Sequence, residues 1–281
     1  MSALRRQGER HDSGGPLVRW RSGVLAPLRL QSLLSQSTEN NRSGDHRFPL
    51  GEGGEAQPFI LTRKLGRESL DALKDFCRAR GATLNDAVLT AYYRCLFGRL
   101  ALSSGAELRI PVMVDMRRYL GEPGGFRALA NLSSTVITQL EYRPEEGFAE
   151  TLARVKAVVD EKKGSDIGLN GFIKLDLIYK LLPDRVANRL LRSRLKNPLI
   201  CMTNVGILDA ARISFGDARP RDAVVCGSIK YKPHFQLAMS SYAGTLTLSS
   251  NLYGDASDRK RVLSFLVEVE RELLTECSGR K

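Results

Sequence analysis

A chain of 281 residues with 42% hydrophobic and 26% charged residues can bury a substantial core, and its composition excludes disorder throughout. No apolar run approaches the length of a membrane-spanning helix. The net charge of +12 favours anionic partners, among them phosphorylated cofactors, acidic carrier proteins, lipid headgroups and nucleic acid. No RNP-like aromatic motif, Cys/His finger or basic region with heptads accompanies that charge, which argues against nucleic acid.

Residues 1–58 read as an Arg/Gly/Ser-rich tail and linker, partly disordered, with Arg5, Arg6, Arg10, Arg19 and Arg21 crowded near the start. No apolar h-region follows them, which speaks against a secretory signal. Val24 to Leu34 has the makings of a basic amphipathic helix with Trp20, suited to a membrane interface or to packing on its own domain. Ser35 to Gly54 reads as the linker proper.

The pattern tightens at Phe59-Ile60-Leu61, which begins a strand. Glu68 to Arg80 carries Leu70, Leu73, Phe76 and Cys77 at helical spacing, and Gly81 supplies a stop. Thr83 with Asp86 three residues on forms a capping-box-like start to a helix running to about Leu100, with Leu84, Val88, Ala91, Cys95 and Leu96 inward.

The stretch Leu108 to Leu140 organises the chain: a buried strand, an acid-base cluster, a glycine turn, an Asn-Ser-Ser node and a second strand. Leu108 to Val114 is apolar and β-branched around Pro111, which suits a strand better than a helix. Asp115, Arg117, Arg118 and Tyr119 follow at once, where a cleft would use them, although a solvated loop would carry the same charges.

Pro144 to Lys163 predicts an amphipathic helix with Phe148, Leu152, Val155 and Val159 inward. Phe172 to Lys196 reads as helical and basic, with seven Lys or Arg against Asp176 and Asp184. Such a face would meet an acidic carrier or a phosphate, or simply face solvent. Leu199–Val205, Ala223–Ile229, Phe235–Tyr242 and Thr245–Tyr253 have strand composition, and Ala243-Gly244 is short enough for a tight hairpin. Asp258 to Cys277 closes the chain as a helix. The expected fold class is α/β, a mixed β-sheet flanked by helices.

Five scattered cysteines, Cys77, Cys95, Cys201, Cys226 and Cys277, show no metal-ligand spacing, and four of them sit in apolar stretches. A reducing, cytoplasmic location is the expectation, with no metal and no bound cofactor. The three histidines are His11, His46 and His234, so histidine-based chemistry has few candidates. No Gly-x-Ser-x-Gly elbow, Walker loop or Gly-x-Gly-x-x-Gly turn occurs. Asp115 and Asp209 are acids or bases by type, but no second carboxylate is placed beside either.

Several signatures, taken together, resemble the acyltransferase superfamily of condensation domains, wax ester synthases and alcohol acetyltransferases. Thr83-Leu84-Asn85-Asp86-Ala87-Val88-Leu89 looks like the Asn-Asp motif of the wax-synthase branch. Pro111 to Arg118 resembles the strand and arginine of the second lobe. Asn131-Leu132-Ser133-Ser134, Asn204-Val205-Gly206 and Ser241-Tyr242-x-Gly244-x-Leu246 follow in family order, over about Phe59 to Glu276. The prolines that the wax-synthase branch carries around Asn204-Val205-Gly206 are missing. The resemblance is to the C-terminal lobe, here 59–281, of a chloramphenicol acetyltransferase-like fold.

That resemblance implies an acyl-CoA or acyl-carrier thioester as co-substrate and a hydroxyl or amine acceptor. Arg117, Asp115, Asn85 and Asp86 would support the active site, and Asn131, Ser133, Ser134, Thr203 and Asn204 would line the channel. The family's general base lies in a His-His-x-x-x-Asp-Gly motif on the first lobe, and this sequence contains no such motif. Arg117 would ordinarily pair with that motif's aspartate. No catalytic residue is therefore assigned here. The expected partners are a first lobe supplied in trans or an acyl carrier protein, with a membrane surface as a further partner. The alternative to an incomplete acyltransferase is a non-catalytic basic binding module.

Overall fold

The computed structural model describes residues 46–115, 133–164, 177–194 and 197–278. In chain order the elements are β1 (Gln57–Leu65), α1 (Arg67–Arg78), α2 (Leu84–Arg99), β2 (Glu107–Asp115), β3 (Ser133–Glu141), α3 (Phe148–Gly164), α4 (Asp184–Arg194), β4 (Ile200–Leu208), β5 (Lys230–Tyr231), β6 (Phe235–Tyr242), β7 (Thr245–Gly254) and α5 (Ala256–Ser278).

The strands form one sheet in the order β1-β7-β6-β4-β2-β3, with β5 pairing β7 beyond the start of β6. β2, β4 and β6 run parallel, whereas β3 pairs with β2, β7 with β6 and β1 with β7 antiparallel; the short β5 runs parallel to β7. The mixed α/β sheet expected from the sequence is present. Pro111, which has no N–H to give a ladder, lies just before Val112, the first β2 residue paired with β4. The hairpin between β6 and β7 turns at Ala243 (φ 48°) and Gly244 (φ 82°), both in the left-handed region that a two-residue primed turn requires.

Alternation sorts the strand side chains between two faces. Leu108, Ile110, Val112, Ile200, Met202, Phe235, Leu237, Met239, Leu246, Leu248 and Leu252 belong to the core that the helices share. α2 is buried on almost every side because it is caught between the sheet and the outer helices. Its Tyr92 hydroxyl reaches the Cys201 carbonyl on β4 (3.3 Å), and its Tyr93 hydroxyl meets Thr138 Oγ1 on β3 (2.8 Å). α5 closes the layer through Val262, Phe265, Leu266, Val269 and Leu273, all fully buried. Its Glu272 and Glu268 pair with Arg94 and Arg99 of α2.

Within the stretch read as linker, Phe48 is a core residue, stacked on Phe235 at 3.9 Å and edge-on to Phe265. A polar knot lies close by. Gly51 N donates to Asp258 Oδ1 (2.7 Å), while Lys232 Nζ reaches Asp258 Oδ2 (2.6 Å) and the Gly51 carbonyl (2.8 Å). Asp255 and Asp258 also exchange backbone N–H to carboxylate bonds across the first turn of α5, a reciprocal cap.

One expectation is refined and one corrected. The basic segment is helical in its described residues, with a break: helix over 177–181 stops before Pro183, and α4 starts afresh at Asp184. Proline disfavours helical backbone at the residue before it, and its carbonyl here begins the new helix by accepting from Ala187 N (3.0 Å). Ala223–Ile229 is irregular chain rather than a strand. Side chains of the sheet take its backbone groups, with Ser240 Oγ accepting from Val225 N (3.3 Å) and Asn251 Nδ2 donating to the Gly227 carbonyl (2.5 Å). Those bonds replace a ladder.

Candidate functional site

The N-terminus of α2 is built by a capping box. Asp86 N donates to Thr83 Oγ1 (3.2 Å), and Asp86 Oδ2 accepts from Thr83 N (2.8 Å) and Thr83 Oγ1 (2.7 Å). Asp86 is only 1% exposed, and its Oδ1 has no hydrogen-bond partner among the described residues. The neighbouring Asn85 Oδ1 accepts from Asn204 Nδ2 of β4 (3.2 Å). Asn204 uses its own Oδ1 to hold Gly206 N (2.8 Å), at the bulge where the β4–β6 register shifts.

Register carries the site across the sheet. Thr203 lies beside Met113 of β2, Val114 opposite Ser134 of β3, and Asp115 opposite Ser133. Facing residues of an antiparallel pair have Cα atoms about 4.5–5.5 Å apart, so these positions lie side by side. Asp115, Ser133, Ser134, Thr203, Asn204, Asn85 and Asp86 therefore gather where β2 ends beside the middle of β4 and α2 begins. In open α/β sheets ligands bind outside the carboxyl ends of the strands, which here is the end of β2 at Asp115.

The same register divides them. Ser134 and Asn204 fall on the helix-covered face with Asn85 and Asp86. Asp115, Ser133 and Thr203 fall on the opposite, open face beside Met113, which is 39% exposed. Of the residues expected to line the channel, Ser134 and Asn204 thus lie on one side of the sheet and Ser133 and Thr203 on the other. Thr135, opposite Met113, joins the open face and was not singled out in the sequence. Arg117 and Asn131 lie outside the described residues.

His234 stands apart. It precedes β6, where its Nδ1 donates to the Pro198 carbonyl (2.9 Å). Asn204 is in register with Met239, five residues further along β6, which at about 3.3 Å per residue puts His234 roughly 16 Å away along the strand. Asp209 caps a short 3₁₀ turn by accepting from Ala211 N (3.0 Å). Burial pushes the Cys201 thiol up to about 11, with Lys230 opposing, so it stays protonated near neutrality. Neither this thiol nor His234 offers a base to the edge where the other residues meet.

No family model matches the chain, and no curated protein matches it. Solved structures do. Polyketide synthase associated protein 5 from Mycobacterium tuberculosis is 15% identical with a TM-score of 0.53, over 94% of this chain and 61% of that one. The epimerization domain of the third module of tyrocidine synthetase B is 14% identical with a TM-score of 0.56, over 88% and 56%. Trichothecene 15-O-acetyltransferase TRI3 from Fusarium sporotrichioides is 16% identical with a TM-score of 0.58, over 89% and 51%. The chain thus spans between about half and three fifths of the length of these proteins, and its fold is the chloramphenicol acetyltransferase-like α/β fold of condensation domains and acyltransferases.

Proposed function

We propose that this chain forms one half of a thioester-dependent acyl-transfer channel and that its partner half supplies the general base. The observation that carries this reading is the meeting of Asn85, Asp86, Ser134 and Asn204 on the helix-covered face, backed by Asp115, Ser133 and Thr203 on the other face of the same strands, in a fold of acyltransferase type. The reaction removes a proton from an acceptor hydroxyl or amine, breaks the C–S bond of an acyl-CoA or acyl-carrier thioester, and forms an ester or amide with release of the thiol. General-base help is typically worth about 10²- to 10⁴-fold. Asp86 is committed to capping α2 and His234 faces the far edge, so neither supplies it.

The test is acyl transfer from acyl-CoA and from an acyl-carrier thioester by the purified chain, with and without a separate lobe bearing His-His-x-x-x-Asp-Gly. Transfer only in the presence of that lobe supports the reading. Robust transfer by the chain alone overturns the need for an external base. A second reading, a non-catalytic basic binding module, draws on the exposed basic segment 177–194, and it expects no transfer even when the histidine-bearing lobe is supplied.

A further inference from the structure

We propose that the segment 177–194 docks the protein on an anionic lipid surface. It holds two short helical pieces joined at a corner by Leu182 and Pro183 and braced by a hydrogen bond from the Tyr179 hydroxyl to Asn188 Oδ1 (2.9 Å). Among residues 184–192 of α4, only Ala187 is fully buried. Leu177, Tyr179, Val186 and Leu190 are left 36–50% exposed, and Leu181, at the corner, is 70% exposed.

On the helical wheel of α4, Val186 and Leu190 lie between the buried Ala187 and a stripe of Arg185, Arg189 and Arg192, at i, i+4 and i+7. Those three arginines are exposed and make no ion pair with a described residue. An apolar stripe bordered by exposed arginines is the pattern of a helix that lies in the headgroup layer, its apolar side chains dipping toward the acyl chains while the guanidinium groups meet phosphates. The corner favours lipid over a folded partner: a protruding leucine next to Lys180 and Arg185 enters a deformable bilayer without needing a matching pocket. No helix among the described residues is long and apolar enough to cross a membrane, so this contact lies on the surface. The inference does not depend on the acyl-transfer reading.

The experiment is co-sedimentation of the full chain with phosphatidylcholine vesicles with and without phosphatidylserine, over a salt series. Binding is expected only with phosphatidylserine and weakens as salt rises. Arg185→Gln with Arg189→Gln should lower partitioning roughly 20- to 30-fold, at about fivefold per arginine. Leu181→Asp should abolish it at an unchanged melting temperature, since the side chain packs on little. Equal binding to neutral vesicles, no binding to anionic ones, or anionic binding indifferent to these variants would overturn the proposal; the last result would move the contact to the basic residues 1–45. An acidic acyl carrier protein that binds through these residues while vesicles do not would replace lipid with a protein partner.

Discussion

Asn204 of β4 donates to Asn85 at the start of α2 across 3.2 Å, and this bond fixes the helix N-terminus to the middle of the strand, beside its bulge. Because Asn204 also holds Gly206 N, its loss would free the bulge as well as the helix. Asn204→Ala and Asn85→Ala are each expected to cost about 1 kcal/mol of unfolding free energy, and the double variant less than the sum. Urea denaturation of the four proteins measures that coupling. Strictly additive losses would mean that the pair does not act as a unit. If the proposed channel is right, either change also lowers acyl transfer in the two-lobe assay.

The cap of α2 makes a separate prediction. Thr83→Ala removes the acceptor for Asp86 N and one of two donors to Asp86 Oδ2, and about 1 kcal/mol of stability should go with it. Thr83→Ser keeps the hydroxyl and should recover most of the loss. Equal melting temperatures for the two variants would show that the hydroxyl is not what caps the helix.

The knot at the start of α5 predicts how stability depends on pH. Burial alone would raise the Asp258 carboxyl, but hydrogen bonds from Lys232 and from the N–H groups of Gly51 and Asp255 outweigh it, so it is held below its ordinary value near 3.8. A carboxylate depressed by folding contributes stability that is present above that ordinary value and is lost as pH falls through the lower folded value. Hydrogen bonding to Asp258 holds the Lys232 ammonium above its ordinary 10.5, so its share is present below that value and is lost as pH rises through the folded one. Asp258→Asn should therefore flatten the loss of stability below about pH 4, read from urea midpoints across a pH series. An unchanged acid limb would remove Asp258 from the account.

Phe48 offers the largest single effect. It is 2% exposed, and truncation to alanine leaves a void between Phe235 and Phe265. The expected loss is about 3–5 kcal/mol, with Phe48→Leu much milder. A near-neutral Phe48→Ala in thermal unfolding would show that residues before β1 are not part of the cooperative unit.

What the sequence made legible was local. The capping box of α2 was readable because its cap and its third residue lie three positions apart, and the β6–β7 turn because Ala243-Gly244 leaves only a two-residue loop. Pro183 carried an equally local signal, the break between 181 and 184, which the basic run around it obscured. Other features depended on distant partners. Ala223–Ile229 has the composition of a strand, and only the side chains of Ser240 and Asn251, which claim its backbone, decide otherwise. The division of the candidate site between two faces could not be read at all, because shifting a register by one residue exchanges the faces, and register is set by pairing between strands remote in sequence.

The bond from Gly51 N to Asp258 closes a loop of 207 positions, and among the described residues β1 pairs only with β7, which lies almost as far along the chain. On the ribosome, β1 is made early and then waits for nearly the whole remaining chain to emerge before its ladder can form. Ile60, 59% exposed even in the finished fold, and the unpaired edge around it are open to wrong partners throughout that interval. Yield of native protein should accordingly hinge on translation speed and on holdase chaperones more than on the stability of the finished sheet.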